Sequence, residues 1–187
     1  EHRDALLRDL GVMRDLITDL LESERLAAGH SALQTETVHL PSLARDLVGA
    51  QFPGVPLTLQ LDETLPAVQA DPVRLKLLLR NLIDNALRHG ADASQPPVVT
   101  LSRQPDGRVN LGVRDFGPGV SDEQLAHLAE PFHRADAARQ RATGGVGLGL
   151  YLCRLVAQAH GGTLSVMRAA PGLDVVVRWP AGHCSAA

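Results

Sequence analysis

The 187 residues suffice for one domain of ordinary size plus an appendage, and with 44% hydrophobic but only 3% aromatic residues the core must be aliphatic. A net charge of −3 argues against a general nucleic-acid or anionic-membrane surface, and no apolar run reaches membrane-spanning length. Cys153 and Cys184 make neither a disulfide framework nor a metal spacing, and none of the eight histidines forms a metal pair, which fits a reducing compartment.

Residues 2–28 read as one long helix. Leu6, Leu10, Met13, Ile17, Leu20, Glu24 and Ala27 follow a heptad seam, which Leu7, Leu16 and Leu21 widen into a bundle face, and Gly29 supplies the stop. Such a helix needs a partner, and a dimer or bundle is expected in preference to packing back on its own domain. Next come an alternating segment Thr35–Leu40, a short helix from Pro41 to about Phe52, and strands Leu57–Leu61 and Leu65–Ala70.

Asp71-Pro72 is a helix start, a side-chain cap followed by a residue whose missing N–H is harmless there, and the helix runs to His89. Leu75, Leu78, Leu79, Leu82, Ile83 and Ala86 form one apolar face. Asn81, Asn85 and Arg88 lie on another side within about 60° of one another, with His89 just beyond. Lys76, Arg80 and Asp84 fill a sector expected to be solvated. Two carboxamides one turn apart, followed by a cation, are an unusual polar row on so apolar a helix.

The polar loop Gly90–Pro97 leads to two antiparallel strands, Val98–Ser102 and Val109–Asp115, joined through Pro105-Asp106-Gly107. A short helix is expected near Asp122–Ala129, an irregular stretch from Glu130 to Gly145, and a last long helix over Val146–His160 stopped by Gly161-Gly162. Strands Thr163–Arg168 and Leu173–Trp179 close the chain. Helices interleaved with antiparallel hairpins predict an α+β fold, a two-layer α/β sandwich with helices on one face of a mixed sheet.

Two glycine-rich stretches carry chemistry beside the carboxamide row. Asp115-Phe116-Gly117-Pro118-Gly119 sets a carboxylate at a strand end, where it can accept from the exocyclic amine of adenine but not from the oxygen guanine carries there. The glycines allow close backbone approach. Gly144-Gly145-Val146-Gly147-Leu148-Gly149-Leu150 runs into a helix and offers backbone N–H groups to phosphates. It is not a P-loop, because GxxxxGK[ST] is absent and the sole lysine, Lys76, lies elsewhere. It lacks the preceding strand of a dinucleotide fingerprint, and His133-Arg134-Ala135-Asp136 with Asp115-Phe116-Gly117 is in the wrong order for a eukaryotic-type protein kinase.

Taken in order, Asn81–Asn85, Asp115-x-Gly117-x-Gly119, Pro131-Phe132-His133-Arg134 and Gly145-x-Gly147-Leu148-Gly149-Leu150 resemble the N, G1, F and G2 boxes of bacterial sensor histidine kinases. The catalytic domain of that family has the Bergerat ATP-binding fold, shared with gyrase, a heat-shock chaperone and mismatch-repair ATPases. The resemblance spans residues 32–180. Residues 13–40 look like the family's second dimerisation-domain helix and its exit, which divides the chain into a truncated dimerisation domain, 1–31, and a catalytic domain, 32–187.

The resemblance implies roles residue by residue. Asp115 would bind the adenine amino group, Asn85 would coordinate Mg²⁺, and Asn81, Arg88 and His89 would sit near the phosphates of ATP, with Asn81 and Arg88 as the catalytic pair. Gly117 and Gly119 would flank the base and hinge a lid carrying Phe132 and Arg134. Gly145, Gly147, Leu148 and Gly149 would hold the phosphates. Arg88 replaces a commoner lysine and keeps the charge, and Phe116 replaces a frequent polar residue.

Hydrolysing relatives carry glutamate where this chain has Asn81, and a carboxamide cannot take a proton from water. The resemblance therefore implies transfer of the γ-phosphoryl group to a histidine on a dimerisation helix, and thence to an aspartate of a response-regulator receiver domain. The acceptor histidine's motif is absent; His2-Arg3-Asp4 lacks the flanking pattern, so these residues alone are expected to bind ATP without phosphorylating themselves. The chain is expected to be a cytoplasmic fragment of a homodimeric parent, whose anchoring in the inner membrane the sequence leaves open, and to have no nucleic-acid partner. A catalytically silent nucleotide-sensing module and a gyrase or mismatch-repair type ATPase are the alternatives.

Overall fold

The computed structural model describes residues 2–28, 33–131 and 147–180. The elements in chain order are α1 (His2–Ala27), β1 (Glu36–Val38), α2 (Leu40–Gln51), β2 (Thr58–Leu61), β3 (Val68–Ala70), α3 (Pro72–His89), β4 (Val98–Arg103), β5 (Val109–Arg114), α4 (Asp122–His127), α5 (Gly149–Ala159), β6 (Thr163–Arg168) and β7 (Leu173–Trp179).

The main sheet has the order β2-β4-β5-β7-β6. β2 and β4 run parallel and every other neighbouring pair is antiparallel, so the sheet is mixed as expected. β1 and β3 form a separate two-stranded ribbon, pairing Glu36 with Ala70 and Val38 with Val68. Strand alternation sends Val99, Leu101, Leu111, Val113, Val175 and Val177 into the core, where they meet Leu78, Leu82, Ile83, Leu152 and Val156 of α3 and α5. The aliphatic core required by composition is this contact of one sheet face with one helical layer, the expected two-layer α/β sandwich.

α3 is the centre of the helical layer. Its start is fixed locally: the Asp71 carboxylate accepts from the backbone N–H groups of Val73 and Arg74, and Pro72 occupies the first turn. A side-chain cap of this kind stabilises a helix by about 1 kcal/mol. Asp71 is also a junction, because its Oδ2 accepts from Gln34 N at 3.1 Å and its own N–H donates to His160 Nε2 at 3.1 Å. His160 lies just past α5, so one capping residue ties the approach to β1, α3 and α5 together.

Four expectations are corrected. The last long helix starts at Gly149 rather than Val146, because Gly147 has φ +78, a left-handed conformation that interrupts a right-handed helix. Arg80 is not on a solvated sector: its Nη2 lies 3.3 Å from Asp19 Oδ1 on α1. Glu22 of α1 likewise meets Arg74 Nε at 3.0 Å, while Asp19 and Ser23 are buried and Leu26 packs on the core. Thus α1 does pack back on its own domain, but through the face opposite its seam. The seam residues Leu6, Leu10, Met13 and Ile17, with Leu21, are each more than half exposed. Finally, the strand expected over Leu65–Ala70 is confined to Val68–Ala70, the three residues that pair with β1.

Candidate functional site

The carboxamide row and the glycine run meet at the start of α5. A Cβ built on Gly149 would stand 3.2 Å from Asn81 Oδ1, so the first turn of α5 rests directly on the Asn81 side chain. Asn81 Nδ2 donates to Leu77 O one turn back at 3.0 Å, which fixes the carboxamide and leaves Oδ1 on the Gly149 side. Leu148 and Leu150, both buried, anchor the loop and helix start in the core. Leu148, the residue before the first turn of α5, gives that turn no side-chain cap, and the turn lies beside Asn81. Asn85 lies one turn further along α3 and is half-buried, while Arg88 is exposed.

The acidic strand end meets the other end of the same helix. Asp115 follows β5 directly and is 3% exposed. Its Oδ1 accepts from Gly117 N at 2.9 Å and Leu173 N at 3.3 Å, and its own N–H donates to Leu173 O at 2.9 Å. A Cβ on Gly117 would fall 2.2 Å from His89 O, so only glycine lets this loop lie against the end of α3. A Cβ on Gly90 would stand 3.8 Å from Asp115 Cβ. Burial pushes the His89 imidazole below its ordinary pKa, opposed by the nearby Asp115 carboxylate and reinforced by Arg88.

Asn81 and His89 are eight residues apart on one helix, a rise of about 12 Å. The candidate site is therefore a strip along α3 with a carboxylate at one end, Asn85 midway, and Asn81 against a helix N-terminus at the other. That polarity suits an elongated ligand with a hydrogen-bond-donating head and an anionic tail. Beyond Asp115 the backbone is tied down by Arg168, whose guanidinium donates to Val120 O at 2.9 Å and pairs with Asp122 at 3.1 Å. Ser121 and Gln124 form a reciprocal capping box at the start of α4.

Of the residues expected from sequence, Asn81, Asn85, Arg88, His89, Asp115, Gly117, Gly119, Gly147, Leu148 and Gly149 are placed along or beside this strip. Phe132, Arg134 and Gly145, with Gly144 and Val146, lie outside the described residues. Sequence reasoning passed over Gly172 and Leu173, at the turn between β6 and β7, which touch Asp115 through backbone. A Pro-Gly pair before a strand signals a turn, but nothing local signals what the turn leans on.

Residues 70–183 match the family described as histidine kinase-, DNA gyrase B-, and HSP90-like ATPase. The chain belongs to this family. It is 37% identical over 169 residues to the sensor histidine kinase YkoH of Bacillus subtilis, covering 88% of this chain and 36% of that protein. It is 32% identical over 183 residues to the signal transduction histidine-protein kinase BaeS of Escherichia coli, covering 94% of this chain and 38% of that protein. The chain thus spans little more than a third of either relative. Among solved structures, full-length ShkA in complex with AMPPNP matches with a TM-score of 0.78 and 28% identity, over 98% of this chain and 38% of that one. Residues 70–183 form an ATP-binding catalytic domain of the histidine-kinase kind.

Proposed function

We propose that the α3 strip binds ATP with Mg²⁺, adenine at Asp115 and triphosphate at Asn81 and the start of α5, and passes the γ-phosphoryl group to a histidine of a dimerisation helix. The observation that carries this reading is the convergence of two sequence-distant glycine stretches on opposite ends of one polar row: Gly149 on Asn81, and Gly117 on His89 beside Asp115.

In this reading the Asp115 Oδ1 is engaged by two backbone donors, and its second oxygen accepts from the adenine amine. The N–H groups at the start of α5 hold phosphate oxygens, with Gly147 supplying the left-handed turn that aims them. Arg88 adds positive charge beside the transferred group. Asn81 positions but does not deprotonate, because a carboxamide accepts no proton at neutral pH, so an incoming imidazole is favoured over water as nucleophile. The donor set fits Mg²⁺: Asn85 offers a carboxamide oxygen, and phosphates and water would complete the shell. When bound, the ion neutralises phosphate charge. Among the described residues no group of three or more His, Cys, Asp or Glu could hold a metal by itself.

The exposed seam of α1 is the proposed contact with a second copy, and the boundary near residue 31 the proposed limit of the dimerisation part. The phosphohistidine would then supply an aspartate of a response-regulator receiver domain. We place the domain in the cytoplasm. Asn81 argues against a hydrolysing ATPase, and the sensor-kinase relatives do not favour a silent sensing module.

The test is to incubate the chain with radiolabelled ATP, Mg²⁺ and a separate helical domain bearing an acceptor histidine. Acid-labile, base-stable phosphate on that domain is expected. Nucleotide binding without any transfer, across several such acceptors, would overturn the kinase reading.

A further inference from the structure

We infer that Gly172, in the turn between β6 and β7, is a positioning residue for base selection: its backbone forms the rear wall that holds Asp115 in register with a six-amino purine. The inference deepens the proposed ATP site and rests on it.

Gly172 has φ +90, and a Cβ built there would lie 2.1 Å from Asp115 O and 2.7 Å from its Oδ1. Neither neighbour is the free end of a flexible side chain; both belong to the residue that meets the base and to its peptide. Leu173, the next residue, exchanges backbone bonds with Asp115, donating to Oδ1 at 3.3 Å and accepting from its N–H at 2.9 Å. On its other side Gly172 O stands 3.6 Å from the Cβ position of Gly119, itself at φ +73. The turn is closed by Ala169 N donating to Gly172 O at 2.9 Å. Its backbone is therefore wedged between the carboxylate and the glycine that ends the Asp115 loop. A methyl group at Gly172 must displace the Asp115 peptide and its Oδ1, and an acceptor moved by a few tenths of an ångström to an ångström loses alignment.

Discrimination between bases, not affinity alone, separates this role from a structural one. ATP and ITP share the ribose and triphosphate but differ at the six position, an amine in one and an oxygen in the other. The wild-type chain is expected to prefer ATP over ITP by about tenfold or more, the worth of one well-made hydrogen bond to a charged group. Gly172→Ala should bring that ratio close to one. Gly54→Ala is the matched control: Gly54 also has a left-handed φ, +73, but nothing lies within 4 Å of its Cβ position, so it imposes backbone strain with no contact to Asp115. It should keep the wild-type ratio.

A Gly172→Ala chain that folds and retains the wild-type ATP-to-ITP ratio overturns the inference, as does an equal loss of the ratio in Gly54→Ala. A wild-type chain that does not distinguish the two nucleotides overturns the adenine assignment itself, and this proposal with it. Should Gly172→Ala not fold, the wild-type chain decides by NMR through the Leu173 amide, whose proton sits on Asp115 Oδ1. A larger resonance shift with ATP than with ITP supports the inference, and an equal response to both refutes it.

Discussion

Asp115→Asn changes one oxygen to an NH₂ group and almost nothing else, so it isolates the proposed adenine contact. The side chain is 3% exposed, and Oδ1 takes both structural donors, Gly117 N and Leu173 N. An asparagine can keep its carbonyl oxygen in that position and satisfy both, so the fold is preserved. The second oxygen then becomes a donor facing the adenine amine, which is also a donor. The charge-assisted hydrogen bond, worth about 1.5–3 kcal/mol, is lost, and leaving the mismatched donors buried costs roughly another 1–3 kcal/mol. Together these, about 2.5–6 kcal/mol, weaken ATP binding by between ~60-fold and ~20,000-fold. Titration calorimetry with ATP and Mg²⁺ reads the affinity, and a thermal melt reads the fold. Unchanged affinity in a folded variant would refute the adenine assignment.

Asn85→Ala should remove the Mg²⁺ dependence of nucleotide binding, read by comparing affinity with Mg²⁺ and with EDTA; a variant that keeps the dependence contradicts the role given to Asn85. Stability should fall on acidification. His89 is held below its ordinary pKa of 6.5, mainly by burial, so below pH 6.5 the unfolded chain takes up a proton that the folded chain refuses. This loss grows as pH falls from 6.5 to the folded pKa and then levels off, and denaturant titrations should show it reduced in His89→Gln. Leu10 and Ile17 are each more than half exposed on α1, so Leu10→Glu with Ile17→Glu leaves the fold intact. The double variant should sediment as a monomer where the wild-type chain dimerises as concentration rises, and an unchanged equilibrium would show that the seam is not the contact.

What could be read from sequence was what depends on neighbours in the chain. The Asp71-Pro72 start of α3 was legible because a cap bonds residues two and three positions away. The strands Thr163–Arg168 and Leu173–Trp179 were legible because they alternate between clear glycine-bearing turns. The carboxamide row on α3 followed from helical periodicity alone. Periodicity could not supply partners. Arg80 looked solvated because the pattern of α3 says nothing of Asp19, sixty-one residues earlier, which packs against it. The start of α5 was placed three residues early because the pattern Val146-Gly147-Leu148 continues an apolar helix, whereas the backbone at Gly147 turns left-handed. The heptad seam of α1 was correctly seen as apolar. That the same helix has a second, polar face clamped by Arg74 and Arg80 was not, since charged residues on a helix usually face water. Gly172 was invisible for the same reason, because its importance lies in touching Asp115, far away in sequence.

In the proposed complex one nucleotide lies along α3 with its base at Asp115 and its phosphates at the start of α5. A crystal structure of the chain with a non-hydrolysable ATP analogue and Mg²⁺ tests it most directly. The predicted result places the adenine amine within hydrogen-bond distance of the Asp115 carboxylate, and phosphate oxygens on the N–H groups at Gly149 beside Asn81. An analogue bound elsewhere, or lying along α3 in the reverse sense, would contradict it.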